Sequence, residues 1–323
     1  MNFLNPKKYQ KDLSKILFPD NSFMTKGRKD DNTGNFVQIL YNEAVELSDA
    51  SEGSPTLPLS IKNTEYGQRS YDTIQVYTPP ELVKNEDEMI TNFNIYQDHL
   101  MQKAEILNRR VADNTAKKWG PTQADRIFLT TGLDEQGGSV KYRDTTIVSG
   151  TNSRKRIGKI DLIKVKERLM KDNTSFGQMV MLVTPDQYDD IYYIPDFVDY
   201  DKTGVKSPLV QGSVGRILGI EIMVRWNQKI GHTGLHYTQS KTKKDNYKAD
   251  GSVNNSADDG AAALAWNTAH VRYSMSPVQT WIDRDKPEYL GGTLISNSLR
   301  HGATIARSDE VGVIALVDAK YTP

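Results

Sequence analysis

Apolar residues fall into a few patterned stretches, and one dominates. Phe93, Tyr96, Leu100, Ala104, Leu107 and Val111 recur at spacings of three and four. That is one stripe of an amphipathic helix over residues 86–119. Asn85 stands where a cap belongs, and Glu86, Asp87 and Glu88 suit the positive end of the helix dipole. Asn85 with Glu88 has capping-box spacing. Lys117-Lys118-Trp119-Gly120-Pro121 supplies cations, then Gly, then Pro, which ends the helix. About 30 residues at 1.5 Å each predict a rod of roughly 45 Å, a spine for other parts. A second helix is predicted over Lys159–Lys171, with Ile160, Ile163, Val165, Leu169 and Met170 as its apolar positions. The continuous run Gln178-Met179-Val180-Met181-Leu182-Val183 reads as a buried strand. Thr184 then caps a short helix that has Pro185 in its first position.

Ahead of the long helix the pattern changes to strands. Phe36 to Tyr41 is strand-like, Asp49 to Pro55 is a turn, and Leu57 to Ile61 starts the return arm. Tyr71 to Tyr77 alternates, predicting one face with Tyr71, Thr73, Gln75 and Tyr77. The sum is a long hairpin with few bulky apolar residues near its tip. A two-stranded ribbon is marginal alone in water, so it is expected to lie on something else, such as another subunit. Residues 1–35 are polar, and Thr25 to Gly34 has almost no apolar content, which predicts a mobile arm or linker, or else a frayed terminus. Residues 239–260, rich in Lys, Asp, Asn, Gly and Ser, predict a flexible surface loop. Residues 214–224 predict a turn and strand, and 261–273 and 302–317 further strands. No internal repeat is present.

Composition narrows the function. A chain of 323 residues suits about two domains or one composite body. No apolar run approaches the roughly 18 residues of a spanning helix. Lys plus Arg equals Asp plus Glu, 41 against 41, which argues against a dedicated nucleic-acid binder. The absence of Cys excludes disulfides, Cys-zinc sites, iron–sulfur clusters and thiol catalysis. No signal-peptide core opens the sequence, so synthesis in a reducing cytoplasm without export is expected. Phosphate-loop, dinucleotide, nucleophile-elbow and zinc-protease signatures are missing. His232 and His236 have i, i+4 spacing, but Gly231 and Gly234 argue against the helix a metal pair needs. Asp199 opens a stretch like a calcium loop, yet Val210 stands where Glu is required. Asp258-Asp259 read as solvated charges, and Lys241, Lys243 and Lys244 as a solubilising cluster or, alternatively, as a contact for phosphate or a neighbouring acidic surface. No catalytic residue, metal or cofactor is expected.

Three segments carry a resemblance. Val183-Thr184-Pro185-Asp186-Gln187-Tyr188 looks like a strand leading into a short helix. Gly212-Ser213-Val214-Gly215-Arg216-Ile217-Leu218-Gly219-Ile220-Glu221-Ile222-Met223-Val224 resembles a glycine-punctuated segment of capsid axial domains. Arg300 to Ile314 looks like a closing hairpin. With the order of elements, these resemble the major capsid proteins of tailed phages, of the Hong Kong 97-like fold. The resemblance covers residues 30 to 320. It implies an α+β architecture: an N-terminal arm at 1–35, an E-loop hairpin at 36–80 and a peripheral (P) domain spine helix at 81–125. An axial (A) domain at 126–295 and closing strands at 296–323 follow. It further implies a non-enzymatic shell protein of the virion, assembled in the host cytoplasm into hexamers and pentamers around double-stranded DNA that it contacts weakly. The arm is too short to contain a scaffold, so a separate scaffolding protein is implied, with a portal protein and no membrane. Expected assembly residues are Phe36, Ile39, Tyr71, Ile74, Tyr77, Phe93, Leu100, Leu107, Gly212, Gly215 and Gly219. The alternatives are a tail-tube or decoration protein, or a hydrolase with paired carboxylates.

Overall fold

The computed structural model describes residues 21–31, 34–42, 66–83, 95–132, 143–146, 151–172, 179–192, 194, 216–226, 234–244, 259–283 and 292–320. A 3₁₀ turn at Ser22–Lys26 leads into β1 (Arg28–Asp30). The hairpin strands β2 (Phe36–Asn42) and β3 (Tyr66–Asp72) follow, then β4 (Ile74–Tyr77) and β5 (Glu81–Val83). The long helix α1 (Ile95–Trp119) is followed by β6 (Ile127–Leu129) and a ribbon of β7 (Arg143–Thr146) and β8 (Thr151–Arg154). Next come α2 (Lys159–Lys171), β9 (Met179–Val183), α3 (Pro185–Tyr192), β10 (Arg216–Ile217), β11 (Ile220–Val224) and β12 (His236–Thr238). The chain closes with β13 (Asp259–Asn267), β14 (Val271–Met275), β15 (Gln279–Asp283), β16 (Thr293–Ile305) and β17 (Val313–Val317).

Two sheets organise these elements. The central one has the order β10-β11-β9-β13-β17-β6, with β12 added on β13. Its strands β9, β13 and β17 are buried along their whole length. Such continuous apolar runs are what burial on both faces requires. Alternate residues serve two cores. Met179, Met181, Val183, Ala263, Ala265, Ile314 and Leu316 pack with Leu162, Val165 and Leu169 of α2 and Ile191 of α3. Val180, Leu182, Ala262, Leu264, Trp266, Val313 and Ala315 face the other way, towards Ala112, Ala116 and Trp119 at the end of α1.

The second sheet is built around β16. The broken strand β14–β15 pairs with one edge and β4–β5 with the other, all antiparallel, while β1 pairs β14 in parallel. α1 lies against β16, where Leu107 and Val111 enclose Leu299. Residues 126–295 therefore divide between the two sheets, and so do residues 296–323, through β16 and β17.

Local chemistry explains several boundaries. Thr184 Oγ1 accepts from Gln187 N at 3.2 Å while Gln187 Oε1 accepts from Thr184 N at 3.0 Å. This reciprocal box starts α3. Asp161 Oδ2 accepts from Gly158 N at 3.1 Å at the start of α2. Leu218 and Gly219, both at positive φ, make the two-residue turn that joins β10 to β11. α1 ends at Trp119 as its Lys-Lys-Trp-Gly-Pro run predicts. Its expected start, with Asn85 and Phe93, lies outside the described residues.

Four sequence expectations need correction. Residues 22–30 are not a loose arm. Phe23 is 1% exposed, with its ring edge-on to Trp119 at 5.8 Å and to Trp266 at 6.3 Å. Both indole N–H groups bind backbone there: Trp266 to Lys26 O and Trp119 to Arg272 O, each at 3.0 Å. One aromatic suffices because a ready-made slot receives it, which composition alone does not reveal. Secondly, the alternation over 71–77 breaks at Thr73, where β3 leaves the hairpin and β4 joins β16. Tyr71 and Thr73 are buried, while Gln75 and Tyr77 are exposed. Thirdly, residues 239–244 are part of the fold: Gln239 bridges Asp318 O and Lys320 N, and Lys243 Nζ donates to Gly120 O. Fourthly, Asp259 is buried in β13, 3.5 Å from the likewise buried His236, so it is no solvated charge.

Candidate assembly surfaces

The hairpin β2–β3 is paired in register from Phe36–Asp72 to Asn42–Tyr66. Its two faces differ. Val37, Ile39 and Tyr71 form a small buried cluster of their own. Phe36 and Leu40, on the opposite face, are 60% and 65% exposed. The base is fixed to the body by several bonds. Tyr71 Oη donates to Asp30 Oδ2 at 2.9 Å, Thr73 N to Asn35 O at 3.0 Å, and Arg69 to the Arg307 carbonyl. Burial and the neighbouring Asp30 carboxylate hold the Tyr71 phenol well above its ordinary range. Gly302 of β16 permits this contact, since a Cβ there would stand 2.7 Å from the Tyr71 ring. A ribbon thus leaves the body on a rigid base, with Phe36 and Leu40 exposed beside Gln38, Gln68, Ser70 and Asp72 on its outer face.

A second exposed apolar group sits on the sheet around β16. Tyr77 is 70% exposed, Ile74 51%, Trp281 51% and Ile282 43%, with Leu82 and Val278 also exposed. By the strand register Tyr77, Leu82 and Trp281 share one face of this sheet, while Ile74 and Ile282 lie on the other.

The expected assembly residues are therefore distributed unequally. Phe36, Ile74 and Tyr77 are available to a partner. Ile39 and Tyr71 are enclosed within the hairpin cluster, and Leu107 in the α1–β16 core. Leu100 is half-buried on α1 and Gly219 serves the β10–β11 turn. Phe93, Gly212 and Gly215 lie outside the described residues. Leu40, Trp281 and Ile282 were missed by pattern reading. Trp281 lies in Gln279-Thr280-Trp281-Ile282-Asp283, too short for periodicity to assign a face.

The buried ionic groups are structural. Arg154 NH1 meets Asp190 Oδ2 at 2.5 Å and lies 3.8 Å from Asp318 Oδ1, which also accepts from Gln187 Nε2 at 2.9 Å. Burial pushes the Asp318 carboxyl up to about 6 and raises Asp190 as well, against the pull of Arg154. Arg225 NH2 meets Asp113 Oδ1 at 2.6 Å with both side chains inaccessible, joining β11's end to α1. These acids are held by arginine and amide partners in packed interiors, an arrangement that fixes elements together. Among the described residues, no three His, Cys, Asp or Glu gather as metal ligands. Nor is any described helix long and apolar enough to cross a membrane.

Solved structures resemble this architecture along nearly its whole length. The capsid structure of the cyanophage P-SCSP1u matches with a TM-score of 0.66 at 14% identity, covering 98% of this chain and 93% of that one. The fold is that of phage capsid proteins. Mycobacterium phage Che8 matches at TM-score 0.61 and 13% identity, over 98% of both chains. The acid-stable capsid structure of the Helicobacter pylori bacteriophage KHP30 matches at 0.61 and 11%, again over 98% of both. No family profile and no curated protein matches the sequence. The capsid fold is carried here by spatial order rather than by residue identity, as the α+β, Hong Kong 97-like resemblance of the sequence implied.

Proposed function

We propose that this chain is a major capsid protein, a mechanical component that assembles with copies of itself into hexamers and pentamers of an icosahedral phage head. The observation that carries the reading is the end-to-end match to capsid structures, at 98% coverage of the chain. The exposed Phe36 and Leu40 of the ribbon and Tyr77 and Trp281 of the β16 sheet supply apolar contacts that a neighbouring copy could cover. In this reading β2–β3 is the E-loop reaching over a neighbour. The β16 sheet with α1 is the peripheral region, and the central sheet with α2 and α3 is the axial region. The shell encloses double-stranded DNA. A neutral chain, 41 cations against 41 anions, suits a lining that holds DNA weakly. Assembly proceeds in the host cytoplasm with a separate scaffolding protein and a portal, and the chain is no enzyme.

Negative-stain electron microscopy of the chain co-expressed with its neighbouring genes tests this. Closed polyhedral shells or hexameric capsomers are expected. Stacked rings or tubes would transfer the chain to a tail, and a monomer that never assembles would refute the reading.

A further inference from the structure

A cavity of about 600 Å³ opens where the end of α1, the base of β3 and the second half of β16 meet. Four cations line it, Arg69, Lys117, Lys118 and Lys243, against two carboxylates, Asp72 and Glu310. Glu310 is already engaged: Oε2 accepts from Thr122 N at 2.7 Å and Gln123 N at 2.9 Å, and Oε1 from Thr122 Oγ1 at 2.5 Å. Burial pushes the Lys243 ammonium down to about 7, and Lys117, Lys118 and Arg69 push the same way against Glu310. A helix C-terminus accounts for Lys117 and Lys118. It does not account for Arg69 from a strand and Lys243 from a separate turn converging on the same space. Cations held together in a concave site are lowered in energy by an anion.

An electrically neutral chain carries the matching acid elsewhere. Residues 43–61 contain Glu43, Glu46, Asp49 and Glu52 and no Lys or Arg. This segment joins β2 to β3 at the end of the ribbon away from Asp72, because pairing runs in register out to Asn42–Tyr66. We propose that the cavity is an acceptor site for carboxylate side chains, and that its occupant is the acidic segment 43–52 of a second copy of this chain. The proposal deepens the assembly reading and rests on it for the identity of the partner.

Two measurements test it. In the first, a labelled peptide of residues 43–61 is titrated into the unassembled full chain at low salt. Binding is expected, and Lys117→Glu/Lys118→Glu should weaken it about tenfold or more, equivalent to about 1.4 kcal/mol. Equal binding to both chains, or binding of inorganic phosphate but not of the peptide, would overturn the proposal. In the second, shells are scored by electron microscopy. Lys117→Glu/Lys118→Glu should block assembly while leaving the far-ultraviolet circular dichroism unchanged. Adding Glu43→Lys/Glu46→Lys to the same chain should restore assembly. Mixing the cavity-reversed chain with a tip-reversed chain should restore hexameric capsomers, in which the two chains can alternate around the ring, and the mixture is scored on these. Restoration in one chain but not in the mixture would place the segment in its own cavity and overturn the second-copy assignment. Normal shells from the cavity-reversed chain would also overturn it. Should the double reversal disturb the helix end, the exposed Lys118→Glu alone serves the same comparisons. Peptide binding by a wild-type chain that never forms shells would instead refute the assembly reading and leave the carboxylate site standing.

Discussion

Phe23→Ala probes whether the polar leader belongs to the folded body. The ring is 1% exposed and meets two tryptophans edge-on, at 5.8 and 6.3 Å. The Arg225 guanidinium lies 5.6 Å from its centre. Truncating a core Phe to Ala costs about 3–5 kcal/mol through lost burial and the cavity left behind. Each edge contact is worth about 0.5–1.5 kcal/mol beyond its area, which places this site towards the upper end of that range. Relaxation offers little relief, because Trp119 and Trp266 are each tethered through their indole N–H to backbone. Urea unfolding of the unassembled chain, followed by tryptophan fluorescence, should show a lower midpoint with an unchanged slope. Lys29→Ala, at an exposed position seven residues from the ring-bearing turn's start, should stay within about 0.5 kcal/mol of wild type. A Phe23→Ala midpoint within that same margin would refute the reading and return residues 22–30 to the status of an arm.

Other perturbations have equally definite outcomes. Asp318 has a folded pKa of about 6, above its ordinary value of 3.8, so its contribution to stability is present at low pH and lost as pH rises through 6. His301 is the opposite case: burial lowers it from 6.5 to about 4, so its contribution is present above 6.5 and lost as pH falls towards 4. Urea midpoints between pH 4 and 7 should therefore drop more steeply on acidification in Asp318→Asn and less steeply in His301→Gln; identical slopes would contradict both assignments. Gly302→Val drives a side chain into the Tyr71 ring and within 3.0 Å of Asp72 O, which should cost about 1–3 kcal/mol and expose residues 36–72 to limited proteolysis. Asp113→Ala removes the carboxylate paired with the inaccessible Arg225 and should cost about 3–5 kcal/mol in the same urea assay. Thr184→Ala removes one half of the α3 cap, for about 1 kcal/mol.

Elements whose stability is local were legible in the sequence. The end of α1, both bounds of α2 and the Thr184–Gln187 cap follow from side chains acting on their own backbone within a few residues. The uninterrupted apolar run of β9 likewise declared its burial. What escaped depends on partners far along the chain. Nothing near Phe23 indicates a slot made by Trp119 and Trp266, and nothing near Thr73 indicates that the strand changes sheets to meet β16. Lys243 reads as a solvated charge because the carbonyl it binds, Gly120, lies 123 positions away. The exposure of the hairpin and sheet side chains follows the same division. Phe36 and Tyr77, expected together with Ile39 and Tyr71, are exposed. Ile39 and Tyr71 looked equivalent to them, and only the hairpin's own packing sets them apart.

The placement of the leader constrains the order in which the chain can fold. β1 pairs with β14, and Lys26 is bonded to Trp266, 240 positions further on. At synthesis rates of about 5–20 residues per second, the first of these partners waits on the order of ten seconds or more for the second. Loop closure over such a span precedes any gain from the contacts it brings, so this step is slow relative to helix formation. The joint between the two sheets is thus completed only when nearly the whole chain has left the ribosome. A chain still short of β14 therefore lacks the contacts that tie its leader to the rest of the body.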